Sequence, residues 1–270
     1  MQNQLIKNER VQKELNNKAT IQGAMKTGRY LYAVIPRSEE QILTFSGIGG
    51  NPVYAISHGK VSAVVGDVPN EKIRPERRHL GAHHEILKQL MNISAVLPVR
   101  FGIIANGSKA VQKILSGNQE AFIEQLDHVA GKVEMGLRVT WDVPNIFEHF
   151  ISTHPELRAV RDRLFGSHSN PTPGDKIELG QIFEHSLNHD REAYTEIVEN
   201  ALSERCFEIK ENKCRNEMEV MNLACLVWRE EEALFESSVF EVAKQFDNNF
   251  AFDYNGPWPP ASFVEIDLGL

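Results

Sequence analysis

Polar and apolar positions divide the chain into a polar lead segment followed by alternating apolar runs and amphipathic stretches. Residues 1–29 scatter Leu5, Ile6, Val11, Leu15 and Ile21 among polar side chains. Val11 and Leu15 stand four apart, as in an amphipathic helix, but so short a helix is marginal alone in water, and a frayed tail is expected. Order is expected from Tyr30, where YLYAVIP is aromatic and β-branched and stops at Pro36. Residues 51–69 read as two strands around His58-Gly59-Lys60. In 74–92, Pro75 suits a first helical turn. His79, Leu80, His83, Ile86, Leu87, Leu90 and Met91 recur there at steps of three and four, one face of a helix. Residues 94–105 are apolar and extended, interrupted by Pro98. Two helices follow, from Ser108 to Leu115 and from Asn118 to about Val129, separated by Gly117.

A second block opens near Gly131. Val133, Met135, Leu137, Val139 and Trp141 alternate with polar partners, the period of a half-buried strand. Residues 145–153 and 155–164 read as helices broken at Pro155, and 168–175 as a loop. Ile177 to Cys206 reads as one long helix with the stripe Leu179, Ile182, Phe183, Ser186, Ala193, Ile197, Ala201. Residues 206–213 and 219–229 read as a hairpin. Glu230 to Phe246 reads as a helix with Ala233, Leu234, Val239, Phe240, Val242 and Ala243 on its apolar face, and 249–256 as a strand. The expected fold is α+β in two domains, the second a modified ferredoxin-like βαββαβ with an enlarged first crossover. The expected division is 1–29 tail, 30–130 N-terminal α+β domain, 131–254 ferredoxin-like domain, and 255–270 a Pro/Trp tail.

Composition adds limits. The 270 residues are 41% hydrophobic and 24% charged, the mixture of a globular chain, which excludes wholesale disorder. No signal-like or membrane-length apolar run appears, so a cytoplasmic protein without a membrane span is expected. The net charge of −8 makes a poor general binder of nucleic acid or anionic lipid. That charge is uneven: residues 1–92 hold 13 basic and 8 acidic side chains, and 93–270 hold 16 and 29. The split fits a solvated face, or an electrostatic seam between the blocks or between copies, so self-association is kept open. Lys72, Arg74, Arg77 and Arg78 form its basic edge; the three arginines are candidate partner-binding residues.

Chemistry is sparse. His79, His83 and His84 sit at helical spacing, but a zincin needs Glu directly after the first His, and Leu80 stands there. His185 and His189 repeat the spacing on the long helix, but His189 follows the apolar stripe and His185 does not. Cys206, Cys214 and Cys225 form no CxxC pair and read as reduced thiols. There is no GxSxG, GxxxxGK[ST] or GxGxxG motif. The glycines around 47–50 precede a strand rather than open a helix, so no phosphate cradle is expected. Phe207 and Trp228 lack the basic, Gly-Phe-rich setting of an RNA-reading sheet. No catalytic, cofactor or metal residue is assigned.

Two segments stand out. Leu97-Pro98-Val99-Arg100-Phe101-Gly102 places a Pro and a charge in an apolar run. That implies an edge or bend, and a partner for Arg100 if it is partly buried. The bland alternative is a strand ending in a turn at Gly102. In Tyr254-Asn255-Gly256-Pro257-Trp258-Pro259-Pro260-Ala261-Ser262-Phe263-Val264, three prolines within four residues stiffen the backbone toward polyproline II. Such a tail suits packing across another surface, of the same chain or of a partner; packing within the chain is expected because the tail directly follows a core strand, with Tyr254, Pro257, Trp258, Pro259, Pro260 and Phe263 as contacts. Trp258→Ala would cost about 3–5 kcal/mol were the indole fully buried.

LPVRFG, the YNGPWPPASFV run and the early YLYAVIP together resemble the gas-vesicle accessory proteins of the F/L family, with Ala261 where the family shows Tyr. The resemblance spans about 30–264. It implies two α+β domains, the second a modified ferredoxin fold, with the C-terminal tail bridging both. It also implies a non-enzymatic minor structural or assembly protein of gas vesicles, without cofactor. The implied partners are the hydrophobic shell protein and other accessory proteins. The runner-up from a different class is a small-molecule-binding or metal-dependent enzyme on a ferredoxin-like scaffold.

Overall fold

The computed structural model describes residues 27–37, 43–166 and 172–266. The polar segment expected to fray therefore lies outside the described residues, up to position 26. The chain divides into two compact units: residues up to Ala130 together with those from Val264 onward, and Gly131–Phe263. No helix among the described residues is long and apolar enough to cross a membrane.

The first unit is built on an antiparallel sheet of β1 (Thr27–Pro36), β2 (Val53–His58), β3 (Val61–Pro69), β4 (Leu97–Pro98) and β5 (Ile104–Ala105). The strand order is β2-β3-β1-β4, with β5 also on β1. β2 and β3 form the expected hairpin, turning through Gly59 at φ +55°. Apolar runs such as YLYAVI, without alternation, need cover on both faces. The helices α2 (Ser108–Gly117) and α3 (Gln119–Val129) cover one face through Val111, Leu115, Phe122 and Leu126. Helix α1 (Arg77–Met91) brings His83, Ile86, Leu87, Leu90 and Met91 inward, and His83 meets Tyr30 and Tyr32 of β1. Helix α1 begins after Pro75, at Arg77.

The second unit carries β6 (Lys132–Trp141), β7 (Glu208–Glu211), β8 (Glu219–Trp228) and β9 (Phe250–Trp258) in the antiparallel order β7-β8-β6-β9. Helices α4 (Ile146–Thr153), α5 (Pro155–Phe165) and α6 (Pro173–Leu202) fill the connection from β6 to β7, and α7 (Glu232–Ala243) joins β8 to β9. The odd-numbered residues of β6 are buried, with Trp141 edge-on to Phe150 of α4 at 5.4 Å. Of the even-numbered ones, Glu134, Gly136, Arg138 and Thr140 line the opposite face and are only half-buried, while Lys132 at the start of the strand is buried. The molecule is thus α+β with two antiparallel sheets.

Several expectations shift. Pro173-Gly174-Asp175, read as loop, is the first turn of α6. Thr172 and Asp175 form a capping box and Pro173 sits at the start, the arrangement that opens a helix best. Ala193, Ile197 and Ala201 of the expected stripe are exposed; Leu187, Val198 and Leu202 are buried instead. On α7 the buried face is Phe235, Val239 and Val242, leaving Leu234 and Phe240 exposed. The expected tail also starts later, because β9 runs through Trp258. Gly256 and Pro257 together stand opposite Met135, a bulge on β9. Gly256 has φ +138°, and a Cβ there would lie 2.7 Å from Met135 Sδ and 3.0 Å from the Glu134 carbonyl oxygen. Gly256→Ala should therefore cost about 1–3 kcal/mol. A melting temperature equal to that of the parent chain would refute this.

Candidate functional site

In the first unit the polar side chains converge below α1. The β1–β3 register shifts between Leu31 and Ala33, so Tyr32 is the extra residue of a bulge. The Tyr30 and Tyr32 rings lie 4.8 Å apart. Helix α1 places His83 against both: Tyr30 Oη is 3.0 Å from His83 Nδ1, and the Tyr32 and His83 rings stack at 5.7 Å. The Gly102 N–H donates to Tyr30 Oη at 3.1 Å, and the Ile48 N–H donates to Tyr32 Oη at 2.8 Å. Burial pulls His83 down to about 4, helped by the neighbouring His84 and opposed by its bond to the Val99 backbone. Burial likewise raises both phenols. A neutral imidazole and two protonated phenols, each bonded into the fold, form a clamp between helix and sheet.

The candidate residues of this unit fall around that clamp. Pro98 pairs with Ala33 at the sheet, and the chain turns at Phe101-Gly102, with Gly102 at φ +92°. Phe101 packs edge-on to Tyr30 and His83, at 6.0 and 5.7 Å. Arg100 is exposed rather than partly buried, because it sits just before the turn, so it calls for no buried partner. Arg74, Arg77 and Arg78 are exposed at the start of α1, with Arg78 paired to Glu76 at 2.9 Å. His79 Nδ1 lies 3.0 Å from the Arg74 carbonyl oxygen. No group of three or more His, Cys, Asp or Glu poised to hold a metal ion occurs among the described residues.

In the second unit the half-buried sheet face carries the C-terminal segment. Glu134 accepts from the Ser262 N–H at 2.8 Å and from its hydroxyl at 2.7 Å. Phe263 is buried against Ala224 and Leu226, with Lys210 Nζ 5.3 Å from its ring centre. Pro260 is buried, Pro257 and Pro259 are half-buried, and Tyr254 donates its hydroxyl to Glu236. Trp258 is 47% exposed and donates its indole N–H to Asn255 Oδ1 at 2.7 Å. Beside it a groove of about 600 Å³ crosses the sheet over Gly136 and Ala224. Glu134 and Arg138 were readable as the polar half of an alternating strand. Asn255 and Ser262 carried no such signal, since a strand register and a folded-back tail bring them there.

The comparisons with known proteins agree with one another. Residues 28–265 match the family model of the gas vesicle synthesis protein GvpL/GvpF. Gas vesicle protein F of Nostoc sp. is 25% identical over 245 residues, 90% of this chain and 100% of the relative. Gas vesicle protein F of a Streptomyces sp. is 28% identical over 239 residues, 87% of this chain and 99% of the relative. Gas vesicle protein L1 of Halobacterium salinarum is 25% identical over 267 residues, 91% and 92% of the two chains. The crystal structure of GvpF from Anabaena sp. PCC7120 is similar at a TM-score of 0.78 and 25% identity, covering 89% of this chain and 99% of that one. With the matched region running from the first residues of β1 to the folded-back C-terminal segment, this chain belongs to the GvpL/GvpF family of gas vesicle synthesis proteins.

Proposed function

We propose that the chain is a non-enzymatic minor structural or assembly protein of gas vesicles, working in the cytoplasm and on the vesicle. It binds the hydrophobic shell protein and other accessory proteins while the vesicle forms. The observation that carries this reading is the family match over residues 28–265. A physical need supports it: a shell subunit with a large exposed apolar patch aggregates unless a soluble partner shields it before polymerisation. The clamp around His83 also favours a structural use of this chain's titratable groups, because each is bonded into the fold.

The second unit is a modified ferredoxin-like fold in this reading. Its βαββαβ succession and β7-β8-β6-β9 order support that, since the two central strands are the first and third of the unit. The C-terminal segment from Tyr254 to Phe263 serves as an interdomain strap; Val264 and Ile266, directly after Phe263, pack on the core of the first unit. Arg74, Arg77 and Arg78 are the proposed partner contact. They are exposed in and before a first helical turn that holds no acid, where cations oppose the helix dipole, so their sign has another use than helix stability.

Co-expression of the full-length chain with the shell protein tests the reading. The shell protein should co-purify with the chain, and Arg74→Glu, Arg77→Glu and Arg78→Glu combined should weaken the capture. Absence of capture by the parent chain, or normal vesicles in cells lacking this protein, would overturn it.

A further inference from the structure

We propose that the groove on the half-buried sheet face of the second unit takes an extended acidic segment of a partner protein. The proposal rests on the reading that this chain acts by binding other proteins, and it names a surface and a partner chemistry for that activity.

The floor is low. Gly136 and Ala224 are paired in register at the centre of the sheet, so no long side chain rises from either position. Phe263 covers Ala224, and the Asn255 side chain lies over Gly136, where a Cβ would come 2.9 Å from its Oδ1. The β9 bulge lies at the same level, between the pairs Glu134–Trp258 and Gly136–Asn255, and Trp258 stands at one end of the groove with its indole half-exposed. Asn212, Asn222 and Asn255 supply carboxamides along the walls. Each carboxamide both donates and accepts, the combination that peptide N–H and C=O groups require.

Charge selects the partner. The second unit, 131–263, carries 13 basic and 24 acidic side chains. The groove inverts that sign, for its charged lining is Arg138, Lys213 and Arg215 against Glu134. Within it, Arg138 is occupied by Asp253 and Glu219, and Glu134 by Ser262. Lys213 and Arg215 are exposed, and among the described residues no carboxylate pairs with either side chain, though the Arg215 backbone N–H donates to Glu219 Oε2 at 2.6 Å. An acidic segment is attracted to these two cations and repelled by the surrounding unit, which gives register as well as affinity.

Span selects an extended chain over a small molecule. Lys213 and Arg215 lie beyond β7, at the opposite edge of the sheet from β9 and Trp258, and strands lie about 4.8 Å apart. Trp258 is level with Glu134, and the Asn212 end of the groove is level with Arg138, four residues away along β6. At roughly 3.3 Å per residue the diagonal is about 19 Å, the reach of some six extended residues. A single sugar ring or nucleotide would leave one end of the groove empty. In the bound segment an apolar side chain lies on the Trp258 indole, and carboxylates meet Lys213 and Arg215.

The test uses full-length chain with 15N-labelled tryptophan and a synthetic octapeptide of one leucine followed by alternating serine and glutamate. Of the three tryptophan indole signals, that of Trp258 should shift on titration while those of Trp141 and Trp228 stay. Lys213→Glu with Arg215→Glu should weaken binding about tenfold or more, and Lys244→Glu, just after α7, should leave it within about twofold. The milder pair Lys213→Gln and Arg215→Gln should fall between, and the lysine-for-glutamate peptide should not bind. A Trp258 signal that stays fixed at millimolar peptide would overturn the proposal. So would charge-reversed chain, of unchanged melting temperature, that binds as tightly as the parent. No vesicle protein enters this assay, so its failure leaves the shell-protein reading standing, and failed shell-protein capture leaves the groove to be judged by the peptide alone.

Discussion

Phe263→Ala is expected to destabilise the chain by about 3–5 kcal/mol, the loss typical of a fully packed phenylalanine. Phe263 is only 5% exposed and packs on Ala224 and Leu226, and its neighbour Ser262 is bonded twice to Glu134. Truncation leaves a cavity under a segment whose backbone is costly to keep ordered. Trp258→Ala makes the informative contrast. With the indole 47% exposed, roughly half of its surface stays in water, and the expected loss is about half as large. Urea unfolding of both variants at neutral pH checks the ranking, and a larger loss for Trp258→Ala would contradict it.

Acid should remove up to about 3 kcal/mol of stability through His83 alone. Its folded value of about 4 stands below the usual value of 6.5, chiefly through burial, so the folded state takes up its proton later than the unfolded state does. The contribution is complete above about pH 6.5 and is lost as pH falls from there toward 4, each tenfold difference in proton affinity between the two states being worth about 1.4 kcal/mol. Carboxylates titrate nearby, so the measurement is a difference: parent stability minus that of His83→Phe, across about pH 7.5 to 4.5. That difference should shrink in favour of the variant as pH falls. A constant difference would show that His83 stays neutral in both states or charges in both.

Much of the element order was legible from pattern. The alternation of Val133 to Trp141, the hairpin at Gly59 and the break at Pro155 are local signals, carried by side-chain period and by residues with restricted or unusual backbone angles. The candidate site was legible only in part. Of the six tail contacts that the sequence marks, Pro260 and Phe263 are buried, whereas Trp258 is half-exposed. Indole size makes Trp conspicuous in a sequence, yet burial is set by what the sheet offers opposite, and opposite Phe263 it offers the small Ala224 beside Leu226. His83 was grouped with His79 and His84 by spacing. Only the pairing of α1 with β1 separates it from them, by placing two phenols against its ring.

By itself, then, the sequence determined the α+β class, the strands and helices in order, the division of charge and, through LPVRFG and the YNGPWPPASFV run, the resemblance that the family match bears out. Tertiary structure alone decided the strand order, the bulges at Tyr32 and opposite Met135, the buried faces of α6 and α7, and the half-buried sheet face where Gly136, Asn255 and Trp258 meet. The reason is range. Period and turn chemistry act over a few neighbouring residues, whereas a register, a bulge or the choice between two similar helix faces is settled by contacts between segments far apart in the chain.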